Sequence, residues 1–195
     1  MTQDPPAPET MAEDDVIELL LRQHALIRDL FDQVEQASAE ERPEAFTRLV
    51  RMLAVHETAE EETVHPYARK KIDGGDGVVD DRLAEENQAK QLLEDLDKNG
   101  PDAPDFLERL LLLRTAVTAH ARSEERYEFT QLRAQTTAAE RRALAAGVKA
   151  AEAMAPTHPH PGIESATKNV LVGTPVAMMD RIRDVVHRAM DQHNS

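Results

Sequence analysis

The sequence predicts an all-α fold, an antiparallel four-helix bundle with additional C-terminal helices. Three observations carry that expectation. Four successive segments place apolar residues at steps of three, four or seven, the spacing of one helix face. No segment shows sustained strand alternation or enrichment in β-branched residues. The breaks between segments are marked by Pro or Gly.

Residues 1–13 read as an acidic, proline-rich, disordered leader, residues 14–136 as the bundle, and residues 137–195 as a helical extension with a proline-rich strap. Asp14 suits the N-cap of the first helix, whose face carries Val16, Leu20, Ile27, Phe31 and Val34, with His24 filling the gap in that stripe. The second helix opens near Pro43 and runs through Phe46, Leu49, Leu53, His56 and Glu60 towards Tyr67, with Pro66 expected to kink or end it. Lys70 to Asp80, with Gly74, Gly75 and Gly77, reads as a loop. A third helix is expected from about Asp81 to Asp97, with Leu83, Ala89, Leu92, Leu93 and Leu96, before the stop at Asn99-Gly100-Pro101. The fourth carries Phe106, Leu110, Leu113, Val117, His120, Glu124 and Tyr127. Beyond it, Thr137 to Met154 is alanine-rich and helical. Ala155 to Gly162 forms the strap, and Pro175 to Met190 a last amphipathic helix with Met178, Met179, Ile182, Val185 and Val186.

Composition narrows the function. A net charge of -14 argues against a nucleic-acid partner, which calls for a basic stripe. Aromatics at 3% leave little for base stacking. The chain has no cysteine, which excludes disulfides, thiolate zinc sites and iron–sulfur clusters. No apolar run reaches membrane-spanning length and the start lacks a signal-peptide pattern, so a cytoplasmic location without membrane contact is expected.

One phrase is written twice, His56-Glu57-Thr58-Ala59-Glu60-Glu61 and His120-Ala121-Arg122-Ser123-Glu124-Glu125. A His and a Glu four residues apart point from one helix face, one turn apart. Imidazole and carboxylate together suit iron, manganese or zinc, and two such pairs in a bundle core can hold two ions. Glu60 and Glu124 sit on stripes expected to be buried, where a carboxylate is costly unless paired or metal-bound. On the third helix Glu86 projects towards the face of Ala89 and Leu93, with Glu85 the alternative on the other flank. Glu57 could reach a metal from the edge of its stripe. His65 reads as facing away from its stripe, behind the ligands or at the surface rather than a ligand, His158 and His160 as at most a weak surface metal site, and His187 and His193 as solvated.

Together, His24, His56-x-x-x-Glu60 followed by Glu61, Glu62 and Pro66, the acidic third-helix site and His120-x-x-x-Glu124 resemble the hemerythrin-like, or HHE cation-binding, family over roughly Val16 to Leu132. The resemblance implies a four-helix bundle around two iron ions, an oxo- or hydroxo-bridged non-haem diiron centre. In it His24, His56 and His120 would be terminal ligands, and Glu60 and Glu124 bridges. Manganese or zinc accept the same donors. The oxygen-carrying hemerythrins use five histidines and two carboxylates; this chain aligns three histidines, and Glu86 stands where the third helix should supply one. Added negative charge favours ferric over ferrous iron, against reversible oxygen carriage.

The expected function is therefore binding of, and reaction with, a small diatomic or peroxide ligand (H2O2, O2 or NO). Catalase-like disproportionation of peroxide is the leading form, and sensing or iron storage without turnover the alternative. Tyr67 and Tyr127 share the ligand faces, either as donors of a hydrogen bond or electron or as plain buried aromatics. The last helix could cover a homodimer or partner-protein interface.

Overall fold

A computed structural model of the chain describes residues 15–154, all of whose regular elements are helical. The expected leader, the Asp14 cap, the strap, the last helix and His158, His160, His187 and His193 lie outside the described residues. No helix among those described is long and apolar enough to cross a membrane.

Helix α1 spans Val16–Gln36. Its cap is Asp15, one residue later than the sequence suggests. The carboxylate accepts the Ile17 N–H at 2.9 Å, satisfying a first-turn donor that the helix leaves free. Helix α2 (Arg42–Ala59) opens with Pro43 in its first turn, where a missing N–H costs nothing.

Pro66 does not end this helix. A π-helical turn, Glu60–Val64, follows α2 and leads directly into α3 (His65–Lys71). The His65 N–H bonds to the Glu60 carbonyl, five residues back. Widening the turn gives the Pro66 ring room beside a carbonyl it would otherwise strike, so the rod continues.

The expected loop from Lys70 to Asp80 shrinks to residues 72–74, because α4 (Gly75–Asn99) begins at the second glycine. Gly74 takes φ 67°, a left-handed conformation that favours glycine. A Cβ on Gly75 would lie 2.6 Å from the Ala68 carbonyl oxygen and 2.7 Å from that of Arg69, so only glycine lets α4 start this close to α3. Gly100, at φ 78°, stops α4 and returns its N–H to the Leu96 carbonyl.

Helix α5 (Phe106–Ser123), a second π-helical turn (Glu124–Glu128) and α6 (Phe129–Gln135) form the fourth rod. Helix α7 (Ala138–Met154) then lies along α1 and α2. A reciprocal box opens it: Glu140 accepts the Thr137 N–H at 2.7 Å and the Thr137 hydroxyl accepts the Glu140 N–H at 3.2 Å.

Helices consecutive in sequence pack as neighbours, the result of short links between antiparallel rods. Their apolar faces form two clusters. One joins Ile27, Phe31, Val34, Leu49, Leu53, Leu93, Leu96, Phe106, Leu110 and Leu113. The other joins Val16, Ile17, Leu20, Val64, Ala68, Val79, Phe129, Leu132, Leu144 and Val148, so α7 completes it. On every rod a polar interval separates the two: His24 between Leu20 and Ile27, His56 and Glu60 between Leu53 and Val64, Glu86 between Val79 and Leu93, His120 and Glu124 between Leu113 and Phe129.

Candidate metal centre

These intervals meet as one buried polar layer. His24, His56, Glu60, Glu86, His120 and Glu124 are all buried, Glu60 and Glu124 completely. His56 Nε2 lies 3.3 Å from Glu60 Oε2, and His120 Nε2 3.3 Å from Glu124 Oε1. His24 Nε2 lies 3.3 Å from Glu124 Oε2, so Glu124 faces imidazoles from two helices. One donor atom each from His24, His56, Glu60 and Glu124 gather within 4.8 Å of one another. Glu86, His120 and Glu124 do the same, as do His65, Glu124 and Glu128. Glu124 belongs to all three groups, whereas Glu60 falls with His24 and His56.

The ring nitrogens facing outward have partners. His24 Nδ1 lies 2.9 Å from Glu125 Oε1, His56 Nδ1 2.7 Å from Gln23 Oε1, and His120 Nδ1 3.1 Å from Glu85 Oε2. Each acceptor calls for a proton on Nδ1 and leaves Nε2 as the nitrogen turned inward. Glu85 thus stands behind His120, held on its other oxygen by Arg82 at 2.9 Å, while Glu86 faces the layer. Glu57 belongs to none of the three groups. It lies 3.6 Å from Lys90 Nζ, and burial pushes its carboxyl up to about 8 against that neighbour's pull.

Two expectations fail at the π turns. Tyr127, read onto the ligand face by counting α-helical steps, is half exposed, with the Arg126 guanidinium over its ring. Tyr67 turns to α7 instead, its hydroxyl donating to Glu140 at 2.6 Å. Tyr67 follows the first wider turn and Tyr127 lies within the second, and the extra width takes both off the α-helical phase. The first π turn also brings His65, expected off the stripe, against the layer. His65 is buried between Glu86 (Nε2 to Oε1, 2.7 Å) and Glu128 (Nδ1 to Oε1, 3.1 Å). Glu128 is fully buried. It had a legible signal, standing one i+4 step beyond Glu124; His65 had none in an α-helical count.

Charge is divided unevenly across the layer. Burial, and then the facing Glu124 carboxylate, hold Glu60 well above the usual carboxylate range. Burial also raises Glu86. On Glu124 burial is outweighed by His120 and His24, which hold it well below that range. Burial, reinforced by His24, lowers His56 to about 3. Against burial, Glu124 and Glu86 keep His120 up at about 9, and Glu128 and Glu86 keep His65 well above the usual imidazole value.

Several inward atoms, some of them facing each other at 3.3 Å, make no well-aligned hydrogen bond: His24 Nε2, His120 Nε2, both oxygens of Glu60 and of Glu124, and one oxygen each of Glu86 and Glu128. Orphaned polar atoms in a sealed layer cost free energy unless something satisfies them. Donors opposite each other on one ion stand about 4.2 Å apart, twice a bond of about 2.1 Å, and neighbouring donors about 3 Å apart. The groupings, each within 4.8 Å, come close to that span. Nitrogen and carboxylate oxygen without thiolate is a donor set for iron, manganese or zinc. The layer fits a metal centre.

Residues 15–132 match the Hemerythrin HHE cation binding domain family. The chain belongs to the hemerythrin-like HHE family. A hemerythrin HHE cation binding domain-containing protein from Mycobacterium kansasii, known from a crystal structure, shares this hemerythrin-like fold with a TM-score of 0.60 at 20% identity. The match covers 93% of each chain. A DNA nickase from Nostoc sp. (strain PCC 7120) is 29% identical over 130 residues, which is 66% of this chain and 36% of the nickase. The hemerythrin-like chain thus spans about a third of that relative's length.

Proposed function

We propose that this chain holds two iron ions in the polar layer and disproportionates hydrogen peroxide there. The observation that carries the reading is the set of buried, unbonded donors centred on Glu124. His24, His56 and Glu60 would hold one ion, Glu86 and His120 the other, with Glu124 shared. Bound iron supplies Lewis acidity and a change of oxidation state, letting one peroxide be reduced to water as a second is oxidised to dioxygen.

The protein's own residues do the rest. Glu125, Gln23 and Glu85 hold the three imidazoles with Nε2 inward. The apolar clusters on both sides exclude bulk water. His65 clasps Glu86 and Glu128, keeping a proton beside the layer. With carboxylates from Glu60, Glu86 and Glu124, the donor set is richer in anionic oxygen than a reversible oxygen carrier needs, which favours turnover over carriage. Net charge of -14 keeps the DNA-directed activity of the Nostoc relative out of this reading.

The test is anaerobic ferrous loading, metal analysis and an optical spectrum, followed by peroxide. The expected result is two irons per chain, near-ultraviolet ligand-to-iron absorption and oxygen evolution, with Glu60→Ala and Glu124→Ala each losing paired metal binding. A protein that stays metal-free after loading, or variants that keep both ions, would overturn it. The second reading is sensing without turnover. It is favoured by the hydrogen-bonded link from α7 to His56, and is distinguished by two bound irons that evolve no oxygen.

A further inference from the structure

Helix α7 lies beyond residue 132, where the family match ends, yet hydrogen bonds connect it to the metal layer. Glu152 Oε1 accepts from Gln23 Nε2 at 2.5 Å, and Gln23 Oε1 lies 2.7 Å from His56 Nδ1. Gln23 and His56 are both buried.

A side-chain amide can offer either end to an imidazole. Its oxygen demands a proton on Nδ1. Its NH2 demands the Nδ1 lone pair, which moves the proton to Nε2 and blocks ligation there. Glu152 removes the choice. An ionised carboxylate only accepts, so the amide NH2 must face Glu152 and the amide oxygen must face His56. His24 and His120 need no such relay, because their Nδ1 atoms meet the carboxylates of Glu125 and Glu85 directly. Of these three imidazoles, His56 alone meets a neutral amide, which an anion must orient.

The position of Glu152 is set by the packing of α7. Leu144, Ala145, Val148 and Ala151 are buried in the cluster shared with Val16, Ile17 and Leu20. Arg141 binds Asp15 at 2.6 Å, and Glu140 takes both the Tyr67 hydroxyl and Lys71. Glu152 is therefore presented by a seated helix.

We infer that Glu152 is a positioning residue of the metal centre, acting through the Gln23 amide to hold the His56 proton on Nδ1 and keep Nε2 ready to ligate. The inference rests on reading the layer as a metal centre. It makes α7 part of the site's construction.

Nitrogen-15 NMR of the metal-free protein reads the tautomer directly. Wild type should show His56 protonated at Nδ1, and Glu152→Ala a mixture or the Nε2–H form. In titrations with Co2+ or Fe2+, Glu152→Ala should bind one of two ions about 10–100-fold more weakly, with the other little changed. A second variant separates orientation from support of the fold. Gln23→Glu combined with Glu152→Ala gives His56 a carboxylate of its own, as His24 and His120 have, and should restore both tautomer and affinity. The inference is overturned if Glu152→Ala keeps the wild-type tautomer and affinity, or if the double variant restores neither. Should wild type bind no metal, the metal-centre reading falls, while the NMR comparison still decides the relay.

Discussion

The difference between a candidate ligand and a clasp is made at single nitrogen atoms. His24, His56 and His120 each commit Nδ1 to an outer acceptor and aim Nε2 at Glu60 or Glu124. His65 commits both nitrogens, to Glu86 and Glu128, and so ties two buried carboxylates together. Replacing it with leucine would leave those carboxylates without their shared cation, the costly half of breaking a buried ion pair. In the metal-free protein His65→Leu should lose about 3–5 kcal/mol in urea denaturation. His65→Gln, which can still donate, should lose less. A loss below about 1 kcal/mol for leucine would show that the clasp adds no more than an exposed ion pair does. Sequence spacing reached the inward His–Glu pairs because His56 and Glu60, or His120 and Glu124, are one α-turn apart. It missed His65 because five α-helical steps of about 100° carry a residue well off the face of Glu60. Only the i→i+5 bond between them brings it back.

Both long rods switch to a π turn at the glutamate of their His-x-x-x-Glu pair, Glu60 in one and Glu124 in the other. π turns inside α-helices concentrate at functional sites. Here the wider turns change the helical phase, bringing His65 in behind the first and turning Tyr127 out within the second. The rods themselves were legible because their apolar steps are regular, and the stop at Gly100 because its left-handed backbone favours glycine. The start of α4 was not. A cluster of glycines reads as loop, whereas Gly75 serves a close approach and Gly77 sits inside the helix. That distinction predicts opposite signs. Gly75→Ala should cost about 1–3 kcal/mol, since the carbonyls it strikes belong to the backbone of α3. Gly77→Ala meets nothing within 4 Å and should gain up to about 1 kcal/mol by restricting the unfolded chain. Thermal melts of the two variants check this. Equal shifts would mean that α4 does not begin against Ala68 and Arg69.

At the scale of the whole molecule, two apolar clusters hold together a polar layer that would be costly alone, and that cost should depend on pH. His120 is held up at about 9, His65 above the usual imidazole value, and Glu57 at about 8. A group whose folded value is raised binds more protons when folded than when unfolded, so its stabilisation is lost as pH climbs through that folded value. From about pH 6.5, the unfolded imidazole value, to about pH 9 these three act with one sign. The opposite contribution of His56, lowered to about 3, falls below that window. Ordinary surface carboxylates are already ionised there and lysines remain charged, so the surface adds little slope. The melting temperature of chelator-treated protein should therefore fall steadily from pH 6.5 to 9. The metal-loaded protein should behave differently, because ligation needs bare imidazole and carboxylate and gains as protons leave. The gap between loaded and chelated melting temperatures should then widen with pH across the same window. A chelated protein whose melting temperature stays flat or rises there would mean that the layer does not hold its protons in the folded state.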